Sequence, residues 1–177
     1  MAHESIVVGG GCFWCLDALY RRVRGVTGVT SGYAGGDLPN PTYWDLHGPG
    51  NTHAEVVKVE FNPKIVTLAT ILDIFWTMHD PTTRNKQMYD EGLEYRSIIL
   101  YNSNEQKQAI DKSIEKTAKK LWSKPLTTEI KPLDTFWPAE DFHQDYFSKN
   151  PEQGYCQVII NPKLAKFKQK FNQLLKD

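Results

Sequence analysis

The chain has no net charge, since 21 Lys and Arg balance 21 Asp and Glu, and it has no long basic run. It therefore lacks the electrostatic grip on nucleic acid or on an anionic membrane that a clustered basic surface supplies. No apolar run approaches the roughly 20 residues that a membrane-spanning helix needs. The N-terminal Met-Ala-His-Glu-Ser enters an apolar stretch at once, without the basic region or small-residue cleavage site of an export signal. A cytoplasmic location is the default expectation. Repeats, low-complexity tracts and Ser/Gly linkers are also missing, which leaves one domain over residues 1–177. Cysteine is scarce: Cys12, Cys15 and Cys156 are the three present. An odd count excludes a fully paired disulfide framework. In a reducing compartment such thiols are catalytic, metal-binding or simply buried.

What is present is an ordinary globular composition, 40% hydrophobic and 24% charged, with clear periodicities. Ser5 to Val8 reads as a short strand running into Gly9, Gly10 and Gly11. Leu16, Leu19, Tyr20 and Val23 then recur at helical spacing, which puts Cys12 at the helix N-terminus. Residues 26–33 read as a strand, followed by a Gly/Pro/Asn-rich loop from Gly35 to Asn51. Val57, Val59 and Phe61 alternate with Lys58 and Glu60 as in a half-buried strand. Leu68, Ile71, Leu72, Phe75 and Trp76 mark a second helix, and Arg96 to Tyr101 another strand. This β-α-β-β-α-β order predicts an α+β fold, a two-layer sandwich with a ferredoxin-like core. A charged helix through Ile110, Ile114, Ala118 and Leu121, an added strand over Thr127 to Leu133 and a C-terminal helix over 162–176 complete the chain. The catalytic core would span about 5–156.

Cys12 draws attention on chemical grounds. A thiol is a weak nucleophile until ionised, and the free N–H groups and positive dipole end of a helix start favour the thiolate. Glycines before it let the backbone pass close to a neighbouring group. Phe13 and Trp14, directly after it, can wall an apolar pocket. Cys12 and Cys15 also form a Cys-x-x-Cys pair, the redox centre of thioredoxin-like proteins. From these residues alone, a redox pair, a single nucleophile and a buried core cysteine all stay open. His47, His53, His79 and His143 lack ligand spacing, so a structural zinc site is not expected.

Gly11-Cys12-Phe13-Trp14 resembles the signature of the peptide methionine sulfoxide reductase A family. Further segments agree in the same order: Ser31-Gly32-Tyr33-Ala34-Gly35-Gly36, Asn40-Pro41-Thr42-Tyr43, His53-Ala54-Glu55, His79-Asp80-Pro81-Thr82-Thr83, Tyr95-Arg96-Ser97 and His143-Gln144-Asp145-Tyr146. Each is weak alone; in register over residues 6–156 they are specific.

The resemblance implies reduction of the S epimer of methionine sulfoxide, free or within proteins and peptides, by a monomer that uses thioredoxin as reductant and needs no metal or organic cofactor. It implies Cys12 as nucleophile, Glu55 as general acid, Tyr43 and Tyr95 as hydroxyl donors to the sulfoxide oxygen, and Asp90 in support. Phe13 and Trp14 would cradle the substrate methyl group. An apolar setting would raise the Glu55 pKa above the ordinary value of about 4.3 so that it can donate at neutral pH. Cys156, in Gly154-Tyr155-Cys156, matches the resolving thiol, with Cys15 the alternative; a Cys12–Cys156 link would need the stretch from Lys149 to Gln153 to move. Four departures from the family pattern stand out: Asp17 for Glu, Thr52 for Gly, Met88-Tyr89 for Gly-Asn, and Glu94 for Gln.

Overall fold

The computed structural model describes residues 3–177. Six strands form one sheet in the order β7-β6-β1-β3-β2-β8. Strand β1 (Glu4–Gly9) lies at its centre, antiparallel both to β3 (Ala54–Phe61) and to β6 (Ile98–Tyr101). Strand β2 (Val26–Ala34) pairs antiparallel with β3. The inner four strands reproduce the ferredoxin-like order and bear out the α+β expectation. Strand β7 (Glu129–Pro132) adds to β6 in parallel, and the two-residue β8 (Trp137–Pro138) closes the other rim.

Alternation along the strands decides what faces what. Ile6 and Val8 of β1, Val57, Val59 and Phe61 of β3, and Ile99 of β6 enter the larger core. Helices α1 (Phe13–Tyr20) and α3 (Leu68–Met78) cover that face with Leu16, Leu19, Leu72, Phe75 and Trp76. Glu55 shares this face by the same two-residue period. On the reverse face Val7, Ala54, Val56, Ile98 and Leu100 form a smaller cluster under Leu133 and Phe136. Val57 to Phe61 alternate buried and part-exposed as predicted, whereas the preceding Ala54 to Val56 are buried on both faces, under Leu133 and Phe136 on the reverse side.

The loop after β2 contains a short helix, α2 (Tyr43–Leu46), capped by Thr42, whose side chain accepts from the Asp45 backbone N–H. A hairpin of β4 (Lys86–Gln87) and β5 (Asp90–Glu91) precedes a 3-10 turn at Leu93–Tyr95. Helix α4 (Asn104–Ser113) continues through a wide turn at Ile114–Ala118 into α5 (Lys119–Leu121). After α6 (Tyr146–Lys149), a wide turn at Cys156–Ile160 leads into α7 (Asn161–Lys170). The C-terminal helix therefore ends before the predicted 176, giving way to a 3-10 turn at Asn172–Leu174. Leu175 then bridges back to Val23.

Candidate active site

The glycine run before Cys12 is required by the protein's own packing. A Cβ on Gly10 would sit 2.6 Å from the His79 ring, and one on Gly9 2.6 Å from the Glu55 carbonyl oxygen. Gly11 has φ +87°, a left-handed conformation that glycine adopts without steric cost, and its N–H donates to the Tyr95 carbonyl at 3.1 Å. Cys12 then caps α1 with extended backbone, so its sulfur stands over the helix N-terminus beside Tyr95.

The thiol itself departs from expectation. The Trp14 backbone N–H does favour the thiolate, but burial outweighs it, and the Glu55 carboxylate and Cys15 add to the upward push. In the resting site the Cys12 pKa is therefore raised, not lowered: a helix start stabilises charge locally, while desolvation acts from all sides.

Glu55 is 2% exposed and accepts from the Phe13 backbone N–H at 3.1 Å. Burial pushes its pKa up to about 8, with Asp90 and Glu94 adding to the rise and the Phe13 and Cys12 hydrogen bonds opposing it. A carboxyl in this setting keeps its proton at neutral pH. Facing a thiol, it is a proton donor poised beside a sulfur.

Two phenols border the same place. Burial first, then the nearby Glu55 and Cys12 charges, raise the pKa of both Tyr43 and Tyr95, so both stay protonated as O–H donors. Sequence reasoning missed what holds Tyr43: Glu140 accepts from the Tyr43 N–H at 2.9 Å and from the Tyr33 hydroxyl at 2.7 Å. His47 packs edge-on to Tyr43 at 4.6 Å, and its Nδ1 lies 3.7 Å from Glu94, one of the departures from the family pattern. Phe13 is buried against Tyr33 and His143, whereas Trp14 is half-buried, stacked on Tyr146 at 3.7 Å and donating from Nε1 to His143 Nδ1. Phe13 is thus packed inward, whereas Trp14 keeps part of its ring open to solvent.

On the other side of Cys12 lies a cavity of about 350 Å³ bordered by Cys15, Met88, Asp90, Tyr155 and Lys163. The Tyr155 hydroxyl donates to Asp90 Oδ2 at 2.6 Å and lies 3.8 Å from Cys15 Sγ. Tyr155 had a visible signal, its place beside Cys156, whereas nothing in the sequence around Glu140 marked it. Cys156 is 0% exposed, within the core near Cys15, and does not border the cavity. The structure therefore brings Cys12, Cys15, Glu55, Tyr43, Tyr95, Asp90, Phe13 and Trp14 together and leaves Cys156 one layer behind.

Several motif residues act on the scaffold. His79 is held by the Phe75 carbonyl and the Ser97 hydroxyl, and burial pushes its pKa down to about 4. His53 accepts from the Gly36 N–H and meets the Leu38 carbonyl. Thr52 ties Asp37 through its hydroxyl, and Asp17 pairs with Arg21 while accepting from the Asp145 N–H. Among the described residues, no group of three or more His, Cys, Asp or Glu side chains is arranged to hold a metal ion.

A family model described as peptide methionine sulfoxide reductase matches residues 4–175. The chain belongs to the peptide methionine sulfoxide reductase family. Among its relatives, the MsrA of Pseudarthrobacter chlorophenolicus is 50% identical over 97% of this chain and 98% of its own. Methionine sulfoxide reductase A of Corynebacterium diphtheriae superposes with a TM-score of 0.81 at 37% identity, covering 88% of this chain and 78% of that one. Reduced Mxr1 of Saccharomyces cerevisiae gives a TM-score of 0.80 at 33% identity over 87% and 89% of the two chains. A structure of Mxr1 in complex with Trx2 gives 0.59 at 27% identity over 81% and 84%. In this chain the Cys12 thiol, the Glu55 carboxyl and the Tyr43 and Tyr95 phenols lie close enough to shift one another's pKa.

Proposed function

We propose that the chain is a single-domain, cytoplasmic, monomeric reductase of methionine S-sulfoxide, free or within oxidised proteins and peptides, recycled by thioredoxin without a metal or organic cofactor. The observation that carries this reading is the buried Glu55 carboxyl, protonated at neutral pH and set against Cys12. Sulfoxide reduction needs that pairing: the sulfur is attacked only as its oxygen gains a proton.

Cys12 bonds to the sulfoxide sulfur while Glu55 protonates the oxygen, with Tyr43 and Tyr95 donating hydrogen bonds to it. The S–O bond breaks as the hydroxyl passes to the Cys12 sulfur, leaving methionine and a sulfenic acid; the thiol proton of Cys12 restores Glu55. Phe13 and Trp14 hold the methyl group, and Asp90 keeps the hydrogen-bond network in place. A second thiol then attacks the sulfenic sulfur, releasing water and forming a disulfide that a dithiol partner opens by exchange. The complex of Mxr1 with Trx2 supports such a partner.

For the second thiol we retain Cys156, with Cys15 as the alternative. Bridging needs Cα atoms within about 7 Å, so Cys156 must leave the core as the turn at Cys156–Ile160 unwinds. Cys15, which borders the Cys12 cavity, needs no such movement. Cys12→Ser should abolish turnover of a methyl sulfoxide peptide, and substantial residual turnover would overturn the proposal. Mapping the disulfide by mass spectrometry after one turnover without reductant separates a Cys12–Cys156 from a Cys12–Cys15 link.

A further inference from the structure

We infer that Met88 is an oxidation site that Cys12 of the same molecule repairs. Met88 and Tyr89 form the two-residue tip between β4 and β5, where Gln87 pairs with Asp90. Met88 has φ +54°, a position that two-residue hairpins give to Gly, Asn or Asp. Its side chain is not spent on the core, since it is 53% exposed while Met78 is buried. A residue that the turn disfavours and the core does not use instead borders the cavity that reaches Cys12.

The tether is short. The Gln87 side chain packs on Gly11, where an added Cβ would lie 2.7 Å from its Cγ. Met88 and Cys12 each follow that contact by one residue, about 3.8 Å of chain. An unbranched side chain with three rotatable bonds can bring its sulfur toward the thiol from there.

The chemistry balances with a hydroperoxide as oxidant. It transfers one oxygen to the exposed Met88 thioether, which loses two electrons, and leaves as the alcohol or, for hydrogen peroxide, as water. The sulfoxide then sits in the cavity that Cys12 borders, and it turns about Cys12 to present its oxygen to Glu55, which, on the function proposed above, serves to reduce that group. Cys12 bonds to the Met88 sulfur as the oxygen takes the Glu55 proton. The hydroxyl passes to Cys12, the thioether is restored and Cys12 becomes a sulfenic acid, which a second thiol converts to a disulfide and water. Because both reactants belong to one chain, the repair is unimolecular.

The test uses the whole protein. Its thiols are capped as mixed disulfides, hydrogen peroxide is applied and removed, and dithiothreitol then uncaps the thiols and starts the reaction. Peptide mass spectrometry follows Met88 sulfoxide over time. Peroxide yields both epimers, so about half of the sulfoxide should disappear with a first-order rate that is unchanged over a tenfold range of protein concentration. The same treatment of Cys12→Ser should leave the sulfoxide intact. Failure of Met88 to oxidise, or persistence of its sulfoxide while a methyl sulfoxide peptide is reduced normally, overturns the inference and leaves the proposed function standing. A rate proportional to protein concentration also overturns it, because repair then passes between molecules. Loss of both activities overturns the proposed function and the inference together.

Discussion

The Phe13 backbone N–H donates to Glu55 Oε1 at 3.1 Å, so the residue that follows Cys12 also holds the Glu55 carboxyl. One helix start thus links the residue that caps α1 to a carboxyl on β3. Both groups resist ionisation because they share a buried environment.

This pairing sets a pH limit on turnover. Glu55 donates only while protonated, so kcat/KM for a methyl sulfoxide peptide should fall as pH rises through about 8. In Glu55→Gln the rate at pH 7 should drop by about 100-fold or more, in line with the loss of a general acid, and that alkaline limb should vanish. A pH-rate profile of both proteins checks this.

The same carboxyl opposes folding at alkaline pH. Its folded pKa, about 8, lies above the unfolded value near 4.3, so the native state binds the extra proton between them. Stability from this group is complete below about pH 4 and is lost as pH rises through 8. Glu55→Gln should therefore be more stable than the parent at pH 9, by up to about 5 kcal/mol. The gap should narrow toward pH 5. Thermal melts across that range decide it.

Glu140 joins Tyr43 to Tyr33 through one carboxylate. Glu140→Ala should leave the Tyr43 N–H and the Tyr33 hydroxyl without this partner and destabilise the fold by about 1–3 kcal/mol. Because Glu140 acts on Tyr43 through its backbone, turnover should fall by about tenfold, with glutamine restoring much of it. Steady-state kinetics of both variants and of Tyr43→Phe would show whether the losses overlap.

Gly10→Ala should be among the more damaging single substitutions. Its methyl would meet the His79 ring at 2.6 Å, and that ring is held at both nitrogens. Overpacking of this kind costs about 1–3 kcal/mol, and displacement of the loop should lower activity further. Denaturant unfolding and turnover, measured together, test both effects.

The inner sheet was legible in sequence because its cores impose strict periods: Val57, Val59 and Phe61 could be assigned to one face by alternation alone. Helix α3 was equally plain, with Ile71, Leu72, Phe75 and Trp76 at helical spacing. The β4–β5 hairpin was not, since two-residue strands carry no period and Met88 stands where a turn residue is expected. The site's residues were identified through motif resemblance, and the rise in the Glu55 pKa followed from its apolar setting. The direction of the Cys12 shift did not follow, because helix position is written locally and desolvation is a sum over segments distant in sequence. Glu140 stayed hidden for the same reason, being 97 residues from Tyr43.

The two rims of the sheet have a consequence for the company this protein keeps. Strand β7 ends at Pro132 and β8 at Pro138, and proline offers no N–H to an incoming strand. Oxidised proteins are often partly unfolded, with bare strand edges that seek pairing. A repair enzyme must touch such chains repeatedly without being incorporated into their aggregates. Short, proline-ended rims let it offer a reactive pocket to damaged proteins while giving their loose strands little to zip onto.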